Sequence, residues 1–153
     1  MIMPLTIGLD TSFVIGLLDD KDVWHISATQ LYDDMLAHGI QIMAFDCVLA
    51  EAVSTLARRL YEKRRAADLN MLFARIRAKY PTKSITWLYP ETPDLFDSVV
   101  ALVEASSGEL NFNDALIALS CQRRGIRHLA SSDADFDHVE WLQRIAKPAD
   151  MPS

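Results

Sequence analysis

The chain has 153 residues, half of them hydrophobic and 24% charged, which excludes a disordered or low-complexity protein. One full core fits this length, and no stretch approaches the ~18 apolar residues that a membrane-crossing helix needs. The formal net charge of −6 argues, taken alone, against a nucleic-acid partner.

Leu5, Ile7 and Leu9 belong to a short apolar run, predicting a buried strand over 5–9 that ends at Asp10. A short helix over 11–18 follows, then the polar turn Asp19-Asp20-Lys21-Asp22. Ile26, Leu31, Met35 and Leu36 have helical spacing, predicting a helix over 24–37 stopped by Gly39. Its face carrying Trp24, Leu31 and Met35 is a candidate surface for self-association. A second strand is expected over 40–45. Asp46 is placed as the N-cap of a helix that puts Val48, Leu49, Ala52, Val53, Leu56 and Leu60 on one face. Another helix, over 66–79, stops before Pro81.

A strand over 84–89 closes at Pro90, and a helix over 94–105 precedes Gly108. The helix over 114–124 is apolar almost throughout, so it is expected to be buried. A last clear strand covers 127–131. Residues 1–147 read as one domain and 148–153 as a loose tail carrying Pro148 and Pro152. Strands alternating with helices imply a mostly parallel sheet covered on both faces. Cys47 and Cys121 have no CxxC partner and are expected to be buried small hydrophobes in a reducing compartment. The N-terminus lacks a basic region and reaches a carboxylate too soon for a signal peptide, so a cytoplasmic location is expected.

The charge is unevenly distributed. Residues 58–83 hold nine of the fifteen basic residues and only two acids, a net +7 that leaves −13 for the rest. This asymmetry predicts a basic face, with Arg58, Arg59, Lys63, Arg64 and Arg65 at its start, set apart from an acidic pole.

The acids that matter are those near the carboxyl ends of predicted strands, where open α/β sheets place their sites. They are Asp10, Glu51, Asp114 and Asp133. Each has an ordinary alternative: Asp10 and Asp133 as turn or cap residues, Glu51 on a wet helix face, Asp114 at the positive end of a helix. Asp114, however, leads the face of Ile117, Ala118 and Cys121, which points inward. Carboxylates converging there repel one another unless a cation neutralises them, and oxygen ligands select hard ions such as Mg²⁺ or Mn²⁺. Competing chemistries lack their motifs. The five glycines make neither GxGxxG nor a P-loop, and GxSxG and HExxH are absent. An EF-hand loop starting at Asp133 would have His138 for its glycine and Arg144 for its glutamate.

The acidic segments resemble those of the PIN-domain family, in particular its small VapC-like toxin ribonucleases. Asp10-Thr11-Ser12 resembles the family's opening D-[ST]-[SN], and Leu49-Ala50-Glu51 its helix-borne acid. Asn113-Asp114-Ala115-Leu116-Ile117-Ala118 resembles N-D-A-x-I-A, the most specific match. Ser131-Ser132-Asp133-Ala134-Asp135-Phe136 resembles T-x-D-x-D-F, with serine keeping the threonine hydroxyl. The resemblance implies a three-layer α/β/α fold and Mg²⁺- or Mn²⁺-dependent endoribonuclease activity. It makes Asp10, Glu51, Asp114 and Asp133 the catalytic and metal-binding acids, with Asp135 auxiliary and Ser12, Asn113 and Ser131 as hydrogen-bonding supports. It also implies a homodimer and a cognate antitoxin. The basic residues from Arg58 to Arg65 then become candidate RNA contacts. The alternative is a PIN-like module that binds RNA or protein without cutting.

Overall fold

The computed structural model describes residues 3–153. Its centre is a five-stranded sheet of β1 (Thr6–Leu9), β2 (Gln41–Phe45), β3 (Ile85–Thr86), β4 (His128–Ala130) and β5 (Gln143–Ile145). The strand order is β3-β2-β1-β4-β5 and every pairing is parallel. Six helices connect the strands: α1 (Thr11–Leu18), α2 (His25–Ala37), α3 (Asp46–Glu62), α4 (Leu69–Lys79), α5 (Thr92–Ala105) and α6 (Phe112–Arg123).

The order fixes where the helices go. From β1 through β2 to β3 the chain steps one way along the sheet, then returns past β1 to β4. Right-handed crossovers therefore put α1 to α4 on one face and α5 and α6 on the other. The packing follows this division, since α1 lies against α2, α3 and α4, while α5 lies against α6. A sheet covered on both faces needs apolar side chains on both sides of each strand. Leu129 and Ala130, successive residues of β4 that face opposite sides, are accordingly fully buried, and so are Ile7 and Leu9 on one side of β1. Between them, Gly8 admits close approach of side chains from both neighbouring strands. A Cβ there would sit 3.2 Å from Phe45 Cε2 and 3.3 Å from Leu129 Cδ1.

Several expectations change in three dimensions. The segment 84–89 pairs only through Ile85 and Thr86, because the chain turns into a short 3₁₀ helix, Tyr89–Glu91. Asp46 does not cap α3: Phe45 holds the N-cap position, and the Asp46 carboxylate accepts from Leu88 N at 2.7 Å and Tyr89 N at 3.0 Å. It thus ties the start of α3 to the approach to α5. Edge strand β5 has no signature in the sequence, since Gln143 and Arg144 interrupt any apolar run. Its hydrogen bonds come from β4, a partner that local sequence does not reveal. The tail at 148–153 is not loose throughout. Asp150 accepts from Ala146 N at 2.9 Å, and Met151 packs on the core. Leu31 and Met35 are completely buried, so they belong to the core and not to a self-association face; Trp24 is partly exposed. Both cysteines are buried and free, as expected, and burial pushes both thiols up to about 12. Among the described residues, no helix is long and apolar enough to cross a membrane.

Candidate active site

In this strand order the chain leaves the neighbours of β1 in opposite directions, which opens a crevice at the carboxyl ends of β1 and β4. Asp10 directly follows β1 and Asp133 lies just beyond β4. From the two opposite helical layers, α3 brings Glu51 and α6 brings Asp114. All four acids line one cavity of about 260 Å³, shared with Thr11, Ser12, Thr55, Arg58, Arg59 and Asn111. A larger cavity of about 780 Å³ lies among α1, α2 and α4, bordered by His25, Tyr32, Arg75 and Lys79. It gathers no comparable set of acids, so volume alone does not mark the site.

Asp10 stands at the N-cap of α1, yet its side chain makes no capping bond. Instead Asp10 Oδ2 accepts from Ser131 Oγ at 2.7 Å and from Ser12 Oγ at 3.1 Å. Ser131 Oγ also accepts from Asp133 N at 2.9 Å, and Ser12 Oγ accepts from Ser132 N at 3.0 Å. Two hydroxyls therefore lock the loop after β4 to the loop after β1, fixing the spacing between Asp10 and Asp133. Burial raises the Asp10 carboxyl pKa, although these hydroxyl donors oppose the shift.

Asp114 occupies the third position of α6 in a reciprocal cap. Its N–H donates to Asn111 Oδ1 at 2.9 Å, and its Oδ2 accepts from Asn111 N at 3.3 Å. The expected support from Asn113 is thus taken by Asn111, two residues earlier. The pattern of Asn followed three residues later by an acid could have disclosed this. Burial pushes the Asp114 carboxyl up to about 7, and the charges of Asp10, Asp133 and Glu51 add to the shift. On α3, Glu51 is half-buried, and Thr11 Oγ1 donates to its Oε2 at 3.3 Å. The sequence assigns no role to Thr11 or Thr55: Thr11 adjoins Asp10 and Thr55 lies one turn beyond Glu51, but only the fold brings Thr11 to Glu51, 40 positions away.

Asp133 combines the ordinary role with a place in the cavity, since its Oδ1 caps the following 3₁₀ turn by accepting from Asp135 N at 3.0 Å. Asp135 itself is not part of the cavity wall. Among the described residues, no three acidic, histidine or cysteine side chains form a ready-made metal cage. The donor set is nevertheless all oxygen and strongly acidic, and burial of Asp10 and Asp114 disfavours their ionised forms unless positive charge is supplied. That chemistry suits a hard divalent cation.

The basic segment is less uniform than its charge suggests. Arg65 donates to Asp19 through both Nη1 and Nη2, at 3.1 and 2.9 Å, and through Nε to Asp68 at 2.9 Å. Its guanidinium is committed to holding the α1–α2 turn and is not available as an RNA contact. Arg59 pairs with Asp22 at 3.3 Å. Arg75 donates to Leu18 O at 2.8 Å, and Lys79 sits 3.8 Å over the Tyr32 ring. Arg58, Lys63 and Arg64 remain exposed.

The PIN domain family profile matches residues 7–142, which includes β2, β3, β4, all of β1 after Thr6, and all four acids. The chain belongs to the PIN domain family. Among solved structures, this PIN domain is similar to VapC20 of Mycobacterium tuberculosis, described as a sarcin-ricin-loop-cleaving toxin. The identity is 23% and the TM-score 0.68, over 88% of this chain and 95% of that one. At that identity the likeness speaks for the PIN fold. No curated protein matches the chain.

Proposed function

We propose that the protein is a metal-dependent endoribonuclease, the toxin of a toxin–antitoxin pair. The observation that carries this reading is the convergence of Asp10, Glu51, Asp114 and Asp133 on one small cavity of a PIN domain. Holding four acids together is costly without positive charge, and a binding module has no need of them. VapC20, with a similar fold, is described as a toxin that cleaves the sarcin-ricin loop, which favours RNA as the substrate class.

Asp10, Asp114 and Asp133 would hold one or two Mg²⁺ or Mn²⁺ ions, with Glu51 completing the site directly or through water. Such an ion supplies the charge that makes hydroxide available near neutral pH and offsets charge on the phosphoryl oxygens. The chain's own residues set the geometry. Ser131 and Ser12 hold the Asp10 carboxylate, Thr11 orients Glu51, and Asn111 fixes the Asp114 backbone. Water forms the new bond to phosphorus, the bond to the 3′ oxygen breaks, and that oxygen takes up a proton. The products are a 5′-phosphate and a 3′-hydroxyl.

The acid cavity also suits a basic side chain inserted by a cognate antitoxin. Self-association is the second partnership in this reading. Helix α5 has one buried residue, Val99, and leaves Phe96 and Val100 exposed, which favours a second copy packing on that face. Light scattering across micromolar concentrations tests it, and a monomer throughout rejects the dimer.

The deciding experiment is cleavage of RNA with excess chelator and with Mg²⁺ or Mn²⁺ restored. Cleavage only with metal, leaving 5′-phosphate ends, is expected. Robust cleavage in chelator, or 2′,3′-cyclic phosphate ends, overturns the mechanism. RNA binding without any cleavage would favour the non-catalytic module.

A further inference from the structure

We infer that Arg58 is the strand-anchoring residue of the cavity, gripping a backbone phosphate of single-stranded RNA beside the four acids; this rests on the nuclease reading above. Glu51, Thr55 and Arg58 follow one another at helical spacing along α3 and all line the cavity. Arg58 lies seven residues beyond Glu51, about 10 Å farther along the helix axis. Helical side chains lean toward the N-terminus, so its long side chain is carried back toward Glu51 and the acids.

What singles out Arg58 is that its charge is uncommitted. Among the described residues it has neither an ion pair nor a side-chain hydrogen bond, whereas its neighbour Arg59 is held by Asp22 and Arg65 by Asp19 and Asp68. Apart from Arg59, whose charge is paired with Asp22, the other cavity wall residues are acids, hydroxyls, an amide and the apolar Ile15. A polyanion entering this cavity meets carboxylates on most sides, and a guanidinium matches a phosphate with two parallel donors. Single-stranded RNA is favoured because the acids and Arg58 lie within a small concavity of about 260 Å³, which a lone flexible backbone enters more readily than a duplex. Arg58 thereby fixes the position of the strand relative to the acids, without contributing to the bond-breaking step.

The test measures fluorescence anisotropy of a labelled, mixed-sequence single-stranded RNA in Mg²⁺ buffer. Asp114→Asn is the parent, so that the RNA survives. Adding Arg58→Ala should weaken binding about tenfold, the order expected of one lost charge-assisted hydrogen bond. The slope of log affinity against log salt should flatten by about 0.7, one phosphate contact on a single strand. Arg58→Lys should restore the slope but only part of the affinity. Arg127→Ala removes an equal charge at the opposite end of the sheet and should change neither. In the cleaving protein, Arg58→Ala should raise KM while leaving kcat nearly unchanged. Unaltered affinity and salt slope in Arg58→Ala, with binding by the parent intact, overturns this inference alone. Failure of the parent to bind any RNA, together with no cleavage by the wild type, overturns the nuclease reading and this inference with it.

Discussion

Asp114→Asn separates what the carboxylate does for folding from what it does for activity. In the metal-free protein, burial and the neighbouring acids raise this carboxyl from 3.8 to about 7. A raised acid pKa means that the folded state binds the proton more tightly than the unfolded chain. The associated stability is fully present below pH ~4 and is lost as pH rises toward 7 and beyond. The shift is roughly three units, each worth about 1.36 kcal/mol, so the ionised form costs about 4 kcal/mol at pH 8. Asparagine keeps the shape and can still accept the Asn111 N–H, but it carries no charge. In chelator, the variant's stability advantage over the wild type should therefore grow from under ~1 kcal/mol at pH 4 to about 4 kcal/mol at pH 8. For a domain of this size that is on the order of 10 °C in Tm at the alkaline end. Urea unfolding of both proteins across this pH range measures the gap directly, and Mg²⁺ should narrow it by stabilising only the wild type strongly. Cleavage should meanwhile be abolished. A gap independent of pH, or a variant less stable than the wild type at pH 8, refutes the reasoning.

Ser131→Ala should lower stability by about 2 kcal/mol, because Asp10 Oδ2 and Asp133 N, both drawn to the same hydroxyl, lose a partner. The urea midpoint measures this, and Ser131→Thr should recover most of it. Arg65→Ala should destabilise by about 2 kcal/mol by leaving the buried Asp19 carboxylate unpaired. It should leave the salt dependence of RNA binding unchanged, and a flattened salt slope would return Arg65 to the RNA surface.

The alternation of elements, and hence the parallel sheet with helices on both faces, was written in the residue pattern. Apolar runs and helical spacing are local signals that burial on two faces enforces. The four acids were legible for a related reason: each sits in a short motif, Asp10 and Asp133 just after predicted strands and Glu51 and Asp114 in the opening turns of predicted helices. The supporting contacts were only partly legible. Asn111 was identifiable from its spacing to Asp114, but Thr11 reaches Glu51 across 40 positions of sequence. Ser131 likewise reaches Asp10 across 121. Tertiary structure alone decided which basic residues keep a free charge, since the partners Asp19 and Asp22 lie in a distant turn. It also decided that Asp46 ties segments together instead of capping α3, and that Gln143–Ile145 becomes a strand. Each of these depends on a partner brought close by packing, and local sequence carries no record of a partner's distance.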